Sequence, residues 1–405
     1  MIGVVLIGAV GTVIFLGRGN PAGVDDINID QPMEIERVYH GLAPDCPERY
    51  CISVVVNGDL LFHPGLWDNF RTGDEREFDF ASLFAAQKPY LEKTDVAICN
   101  LETPIANPGG PYAGYPIFNI PPHVVDAVAE VGYDACTAAT NHAIDQGVAG
   151  IERVIDKLDS LNIKHTGIYK TAEDSQKPLI LDTEGGKIAV IGGTVSLNGM
   201  VADQDWRVDR LRDGEMMMQD VERAANMARK AREQGANIVI MQLHSLQEYI
   251  TYADGWQQSA AHALIDTGEF DMVYFHGSHS VQPLEIYNDV YIIYGLGNSQ
   301  TVSAPESRYV NNQGLTVRMQ FSSPDQENWQ VSKLSYLPTF NKTGARYAWC
   351  PLATDHPSGF CLSESGDAQM LNRMENILFS MNVNRDNPVA KLWLITEEQN
   401  GQSAN

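Results

Sequence analysis

Positive charge is scarce in this chain relative to negative charge. Its 405 residues include 28 Lys and Arg against 52 Asp and Glu, a formal net charge of −24. Nucleic-acid binding needs clustered Lys and Arg to neutralise phosphates, so this balance argues against it. The same deficit removes any long-range attraction to an anionic membrane or polymer. An anionic ligand must therefore be gripped locally, by metal ions or a small basic pocket. Arg207, Arg210 and Arg212 are one candidate for such a pocket, although the start of a solvated helix accounts for them better. The six cysteines lack the spacing of a zinc ribbon. Hydrophobic residues at 44% and charged residues at 20% exclude a disordered chain, a collagen-like fibre and a coiled coil. The length predicts two to three domains of about 150 residues, or one large α/β domain with additions.

Residues 2–17 form an uncharged apolar run followed by Arg18. The run is shorter than the roughly 20 residues of a comfortable membrane span, but it matches the core of a signal sequence. No Lys or Arg precedes it, and neither an A-x-A-like cleavage site nor a lipoprotein Cys follows. It reads as a membrane anchor, with a cleaved signal or a buried strand as alternatives. The first two place the rest of the chain outside the cytoplasm, held at the membrane or secreted. Residues 18–47 are rich in Gly, Pro, Asn and Asp and read as a tether. Cys46 with Cys51 and Cys350 with Cys361 are plausible short-loop disulfides in such a compartment. Cys99 and Cys136 lie inside apolar runs and are expected to pack as small hydrophobes.

Apolar runs that each end in polar residues predict strands at Ser53–Val56, Val96–Cys99, Ala135–Ala138, Lys187–Ile191, Ile238–Leu243 and Met272–Phe275. Helical spacing between them predicts helices at Pro122–Val131, Val148–Leu161, Met216–Gln234 and Ser259–Gly268. The alternation argues for an α/β fold with largely parallel pairing. Val290–Tyr294 and Leu315–Phe321 read as further strands of more antiparallel character. After about residue 340 the pattern weakens to one predicted helix, Ala368–Met381, in a C-terminal extension (341–405).

The polar residues that follow the strands have a common character. They are Asn57-Gly58-Asp59 with His63, then Asn100-Leu101-Glu102, then Thr140-Asn141-His142-Ala143, then His244 with Glu248 and Tyr249, then His276-Gly277-Ser278-His279. Ligands of open α/β sheets bind outside the carboxyl ends of the strands, so five segments deliver oxygen and imidazole donors to one rim. That inventory suits Mn, Fe or Zn, and it is large enough for two ions sharing a carboxylate. Each piece alone has a plainer account: Gly-Asp as a turn, Asn-His as a helix cap, a lone His as a solvated side chain. Their recurrence at one topological position is what singles them out.

These residues resemble the CapA family of poly-γ-glutamate capsule biosynthesis proteins, within the calcineurin-like metallophosphatases. The match is carried by Gly58-Asp59, Asn100-Leu101-Glu102, Asn141-His142-Ala143 with Asp145 and Gly147, and His244 with Glu248-Tyr249. It continues through His276-x-x-His279 with Gln282 and Leu296-Gly297-Asn298, and through Phe118-Asn119-Ile120-Pro121-Pro122 ahead of Gly132-Tyr133-Asp134. Order and spacing agree over about residues 50–300. The chain departs at Phe275 and Ser278, where the family has Gly and Pro, at Ser245-Leu246 for Trp-Gly, and at Ser299 for an aromatic. The ligand positions are intact, so the departures bear on the substrate.

The resemblance implies a layered β-sandwich flanked by helices over residues 48–340, with two divalent ions at the strand ends. Asp59 and His279 would serve one ion, Asn141, His244 and His276 the other, and Glu102 would bridge them. His63 is an open case, because its spacing from Asp59 is wider than in phosphatases. His142 would protonate a leaving oxygen, since an alkoxide leaves poorly. Asn100, Asp145, Glu248, Tyr249, Gln282 and Asn298 would support the ligands or touch substrate. Two functions follow from the resemblance. One is an extracytoplasmic metal-dependent hydrolase acting on a phosphoester or related bond of an envelope polymer. The other is a non-catalytic accessory subunit that guides poly-γ-glutamate beside the membrane subunits of a capsule machine.

Overall fold

The computed structural model describes residues 37–39, 46–73, 77–92, 94–302, 311–344, 347–352, 361–393 and 395–397. The apolar run at 2–17 and most of the tether lie outside them. In chain order the strands are β1 (Arg37–Tyr39), β2 (Tyr50–Leu61), β3 (Val96–Leu101), β4 (Ala135–Thr137), β5 (Lys164–Thr166), β6 (Leu179–Asp182), β7 (Lys187–Thr194), β8 (Ile238–His244) and β9 (Met272–His276). They continue as β10 (Leu284–Tyr287), β11 (Val290–Ile293), β12 (Asn298–Thr301), β13 (Gln313–Ser323), β14 (Gln330–Lys342), β15 (Ala348–Pro351), β16 (Ala390–Leu392) and β17 (Ile395–Glu397). The α-helices are α1 (Pro64–Asn69), α2 (Ala81–Phe84), α3 (Lys88–Leu91), α4 (His123–Val131), α5 (Gly147–Ser160), α6 (Met217–Glu233), α7 (Gly255–Ile265) and α8 (Glu364–Leu378).

Two sheets organise these elements. One has the path β15-β14-β13-β2-β3-β4-β5, with β12 beside β2 and β16 beside β14; the other runs β10-β11-β9-β8-β7-β6. In the first sheet one half is parallel, β2, β3, β4 and β5, and the other half, β13, β14 and β15, is antiparallel. In the second, the parallel strands β7, β8, β9 and β11 form the centre, and antiparallel β6 and β10 lie at the two edges. β11, expected to be antiparallel in character, is so only toward β10 and runs parallel to β9.

Side-chain alternation assigns the layers. Ile52, Val54 and Val56 of β2 join Ile188, Val190, Ile238, Ile240, Val317 and Met319 in a core between the sheets. Val55, on the opposite face, joins α4 and α5 residues such as Val124, Val128, Ile151 and Leu158. The outer face of the second sheet buries Val239, Met241 and Val273 against Val221, Ala228 and Ala261 of α6 and α7. In α5, Ile151, Val154, Ile155 and Leu158 recur at the spacing of one helical face, and all four are buried. Alternating β and α segments thus yield four layers, helix–sheet–sheet–helix.

Two helices begin earlier than their apolar spacing predicts, for the same reason. Helix α7 starts at Gly255 because Asp254 and Gln257 form a reciprocal capping box. Helix α8 starts at Glu364 because Ser363 accepts the Gly366 N–H. The chain beyond residue 340 contributes β15 and β16 to the first sheet and Met370, Met374 and Leu378 to the core between the sheets.

The cysteine expectations need correction. Cys46 and Cys51 are bridged as expected, but so are Cys99 and Cys136, with their Cα atoms 4.5 Å apart. These two stand opposite each other on neighbouring parallel strands, so apolar packing and bridging coincide. Cys350 and Cys361 are buried free thiols rather than a disulfide. The arginine cluster is consumed in ion pairs: Arg207 with Asp203, Arg210 with Asp205, Arg212 with Asp220.

Candidate metal centre

The strand register builds the centre. Asp59 pairs with Asn100 across β2 and β3, and also with Asn298 across β2 and β12. Thr194, His244 and His276 stand in one row across β7, β8 and β9. Both sheets therefore end their parallel strands at the same place, with polar side chains facing across the gap. Gly58 and Gly297 permit the crossing: a Cβ on Gly58 would lie 2.5 Å from the Gly297 carbonyl oxygen. That carbonyl accepts the Asp59 N–H at 2.9 Å. Gly277 has φ of +84°, and a Cβ there would meet the His244 imidazole at 2.8 Å.

Asp59, Glu102 and His279 offer ligand atoms that all lie within 4.8 Å of one another. His276 Nδ1 is 2.6 Å from Asp59 Oδ1, and His279 Nδ1 is 3.1 Å from Asp59 Oδ2. Glu102 Oε1 lies 3.7 Å from His279 Nε2 and 3.9 Å from His244 Nε2. All five side chains are essentially sealed from solvent. Within this cluster both Glu102 oxygens and both His244 nitrogens have no hydrogen-bond partner, and neither does the nearby Asn141 Oδ1. Buried polar atoms left without partners are costly, and here five of them belong to one inventory of oxygen and imidazole donors. The residues present therefore fit a divalent cation.

Electrostatics point the same way. Burial pushes the Glu102 carboxyl well above its usual range, and Asp59, Glu248 and Asp145 add to that push while His279 opposes it. Burial acts to raise Asp59 too, but His276 and His279 overrule it and hold Asp59 far below the carboxylate range. For His279, burial opposes the charge, yet Glu102 and Asp59 raise the imidazole to about 10. Burial lowers His244 to about 3, which keeps its nitrogens free as neutral donors to a metal. Two buried carboxylates thus compete for the charge of neighbouring histidines, and a divalent cation would serve both.

Around the cluster, Asn100 Nδ2 donates to Asp59 Oδ1 at 3.0 Å, and Asn298 Oδ1 lies 3.1 Å from His279 Nδ1. His142 Nδ1 is 2.7 Å from Asp145 Oδ2, and that oxygen also accepts the Phe118 N–H at 2.8 Å. Tyr249 packs its ring over His279 at 5.8 Å, with its N–H donating to the Ser278 carbonyl. Tyr249, His279 and Asn198 all have positive φ although none is glycine, a concentration of strained backbone typical of functional sites. Glu248 is exposed and acts on Glu102 and Tyr249 through its charge. Gln282 stays outside the cluster and holds the Tyr249 loop by donating to the Ile250 and Tyr252 carbonyls.

His63 stands apart from the closest group. It precedes α1, meets the Phe118 ring edge-on at 5.2 Å, and is lowered to about 4 by burial and by nearby His279 and His142. Its Nε2 has no partner. One residue escaped the sequence reading: Asn198, whose Nδ2 lies 3.5 Å from the His142 ring nitrogens and whose Oδ1 accepts from Asn141. It follows β7, so the strand-end logic applied to the other segments also covers Leu197-Asn198-Gly199. A separate cavity of about 700 Å³, lined in part by Trp206, Asp209, Arg210 and Arg223, shares no residue with this centre.

Comparison with known proteins now becomes informative. Residues 53–301 match the model of a family described as bacterial capsule synthesis protein PGA_cap. A Mycobacterium tuberculosis protein named "Probable polyglutamine synthesis accessory protein" is 30% identical over 51% of this chain and 55% of its own. The PGA biosynthesis protein CapA of Bacillus subtilis is 26% identical over 54% of this chain and 56% of its own. The chain thus spans about half the length of the curated relatives it matches. Among solved structures, the calcineurin-like phosphoesterase YfkN of Bacillus subtilis aligns with 80% of this chain and 96% of its own. Its TM-score is 0.42 and its identity 13%.

Proposed function

The chain belongs to the bacterial capsule synthesis protein family PGA_cap, and from that membership we propose that it is a metal-dependent phosphoester hydrolase of capsule or envelope-polymer metabolism. One observation carries the reading: Glu102, fully buried with neither oxygen hydrogen-bonded, beside Asp59 and His279. Asp59, Glu102, Asn141, His244, His276 and His279 would hold two divalent ions of the Mn, Fe or Zn class, with His63 as a further candidate ligand. Bound there, such ions would supply Lewis acidity and an activated water.

The chain's own residues supply the rest. Asp145 engages His142 at Nδ1, so Nε2 is the nitrogen left to give a proton to the departing oxygen. Phe118 packs against the His142 ring at 4.7 Å and fixes its plane. Asn100 and Asn298 hold Asp59 and His279 in place. We further propose an extracytoplasmic location, which the two disulfides support, because such bridges persist in oxidising compartments.

A second reading has one observation in its favour, the accessory role in the name of the M. tuberculosis relative. In it the chain would assist synthesis of an anionic polymer without catalysis. Metal content by elemental mass spectrometry, with phosphoester turnover, decides between them for wild type, Glu102→Ala and His142→Ala. The hydrolase reading expects about two ions per chain in wild type, their loss in Glu102→Ala, and ions without turnover in His142→Ala. Metal-loaded wild type that turns over no phosphoester would leave the accessory role.

A further inference from the structure

The loops that carry the centre have an unusual composition. Segments 102–122, 138–147, 195–201, 244–256, 276–283 and 296–302 contain not one Lys or Arg. Yet among the described residues they hold six of the eight exposed large hydrophobic side chains: Tyr115, Ile117, Val201, Leu246, Tyr249 and Tyr252. Tyr115 is 76% exposed and Tyr249 47%, although Tyr249 packs directly over the buried His279. The two tyrosines belong to loops from opposite sheets: the Tyr115 loop continues into Phe118, which packs on His142, while Tyr249 packs on His279. The Tyr249 backbone is held in a left-handed conformation that a large side chain rarely adopts. Strain of this kind persists where the surroundings fix it, and here it fixes an aromatic ring at the edge of the centre.

We propose that this mouth selects phosphoesters carried on a neutral saccharide, with Tyr249 and Tyr115 as its specificity-determining residues. The proposal rests on the hydrolase reading and names the substrate class of the same site. Tyrosine rings offer an apolar face to the C–H face of a sugar and a phenol to its hydroxyls. Glu248 is an exposed acceptor on loops without Lys or Arg, and sugar hydroxyls donate to such an acceptor. An acyl chain has no donor to give it, so covering Glu248 with lipid would bury an uncompensated carboxylate. A polyanion such as oligo-γ-glutamate would bring a carboxylate on every residue to loops without a single Lys or Arg, on a chain of net charge −24.

The test is direct binding, which does not depend on turnover. The purified full chain is titrated calorimetrically with maltotetraose, chitotetraose and tetra-γ-glutamate, in wild type, Tyr115→Ala, Tyr249→Ala and Tyr249→Phe. At least one neutral saccharide should bind, and either alanine variant should weaken it about tenfold, as expected for a lost stacking partner. Tyr249→Phe should retain most of the affinity. Tyr115→Ala, at an exposed position, keeps the test valid if Tyr249→Ala fails to fold. Binding of neither saccharide, binding of tetra-γ-glutamate as tight as theirs, or unchanged affinity in the alanine variants would overturn the proposal. Failure of the hydrolase reading would show separately, as metal-loaded wild type that binds saccharide and cleaves no phosphoester.

Discussion

The imidazole of His142 meets the carboxylate of Asp145 at 2.7 Å, and both are almost completely buried. Spaced three residues apart in a tight turn, they need no distant element to bring them together. The second contact to Asp145 Oδ2, from the Phe118 N–H, ties the turn to the loop whose aromatic ring packs on His142. Under the proposed hydrolysis, Asp145 would position His142, the proton donor.

That division predicts how Asp145→Asn behaves. An asparagine keeps the shape but presents an amide whose orientation must serve both Phe118 and His142. Turnover should fall about 10- to 100-fold, the usual cost of losing a residue that orients a functional group. Metal content should stay at the wild-type level. The loss should fall on kcat rather than on KM, because the imidazole that Asp145 orients acts on the departing oxygen. A loss of folded protein with kcat per folded enzyme unchanged would show Asp145 to be merely structural.

Glu102→Gln should separate stability from metal binding. In metal-free protein the wild-type carboxyl is buried without a hydrogen-bond partner and its pKa is driven up by burial. A neutral amide of the same shape still lacks partners there, but it removes the ionisation that burial opposes, so the metal-free variant should be no less stable than wild type. The same change removes a charge proposed to hold the ions, so added Mn or Zn should raise the melting temperature of wild type far more than that of the variant. Calorimetry with and without metal reads both effects. A variant less stable than wild type in the metal-free state would show that Glu102 holds the fold rather than a cation.

The Cys99–Cys136 bridge yields a third expectation. It joins adjacent strands immediately before Asn100, which donates to Asp59, so it braces the floor of the centre. It closes a loop with a sequence separation of 37, for which chain-entropy reasoning gives roughly 4 kcal/mol. Cys99→Ala with Cys136→Ala should lower stability by about 2–4 kcal/mol in denaturant unfolding. A double variant as stable as wild type would remove the bridge from the account of the fold.

Most of the centre was legible in the sequence because its residues obey one topological rule. Asp59, Glu102, Asn141, His244 and His276 each sit at the carboxyl end of a parallel strand, and apolar runs mark those strands plainly. Asn198 obeys the same rule but was overlooked, since a Leu-Asn-Gly turn carries no chemical signature of its own. The Cys99–Cys136 bridge was hidden because bridging and apolar packing select the same buried sites. The start of α8 was hidden because capping by Ser363 precedes any apolar periodicity. Strands β15 and β16 are too short to show alternation, and only pairing with β14 defines them. Long-range pairing of this kind is written in partners rather than in the local sequence.

Asp209 gives the last prediction, at a distance from the centre in residues but not in chain connectivity. It lies with Asn198 in the connection that follows β7, and its carboxylate accepts the Tyr169 phenol at 2.5 Å. Burial raises it from 3.8 to about 6, against the opposing effects of Tyr169 and Arg223. A carboxyl whose folded pKa is raised keeps its proton longer in the native state than in the unfolded one. Between pH 4 and 6 the native state therefore binds more protons, and stability falls as pH rises through that window. The stability contributed by the protonated form is fully present below about pH 4 and lost above about pH 6. Asp209→Asn keeps an oxygen for Tyr169 and cannot ionise. It should be more stable than wild type at pH 7 by up to ~3 kcal/mol, the equivalent of about two pKa units. The difference should shrink as pH falls and vanish near pH 4. Urea unfolding of the two proteins across pH 4–8 measures it, and a difference independent of pH would show that Asp209 does not titrate in this range.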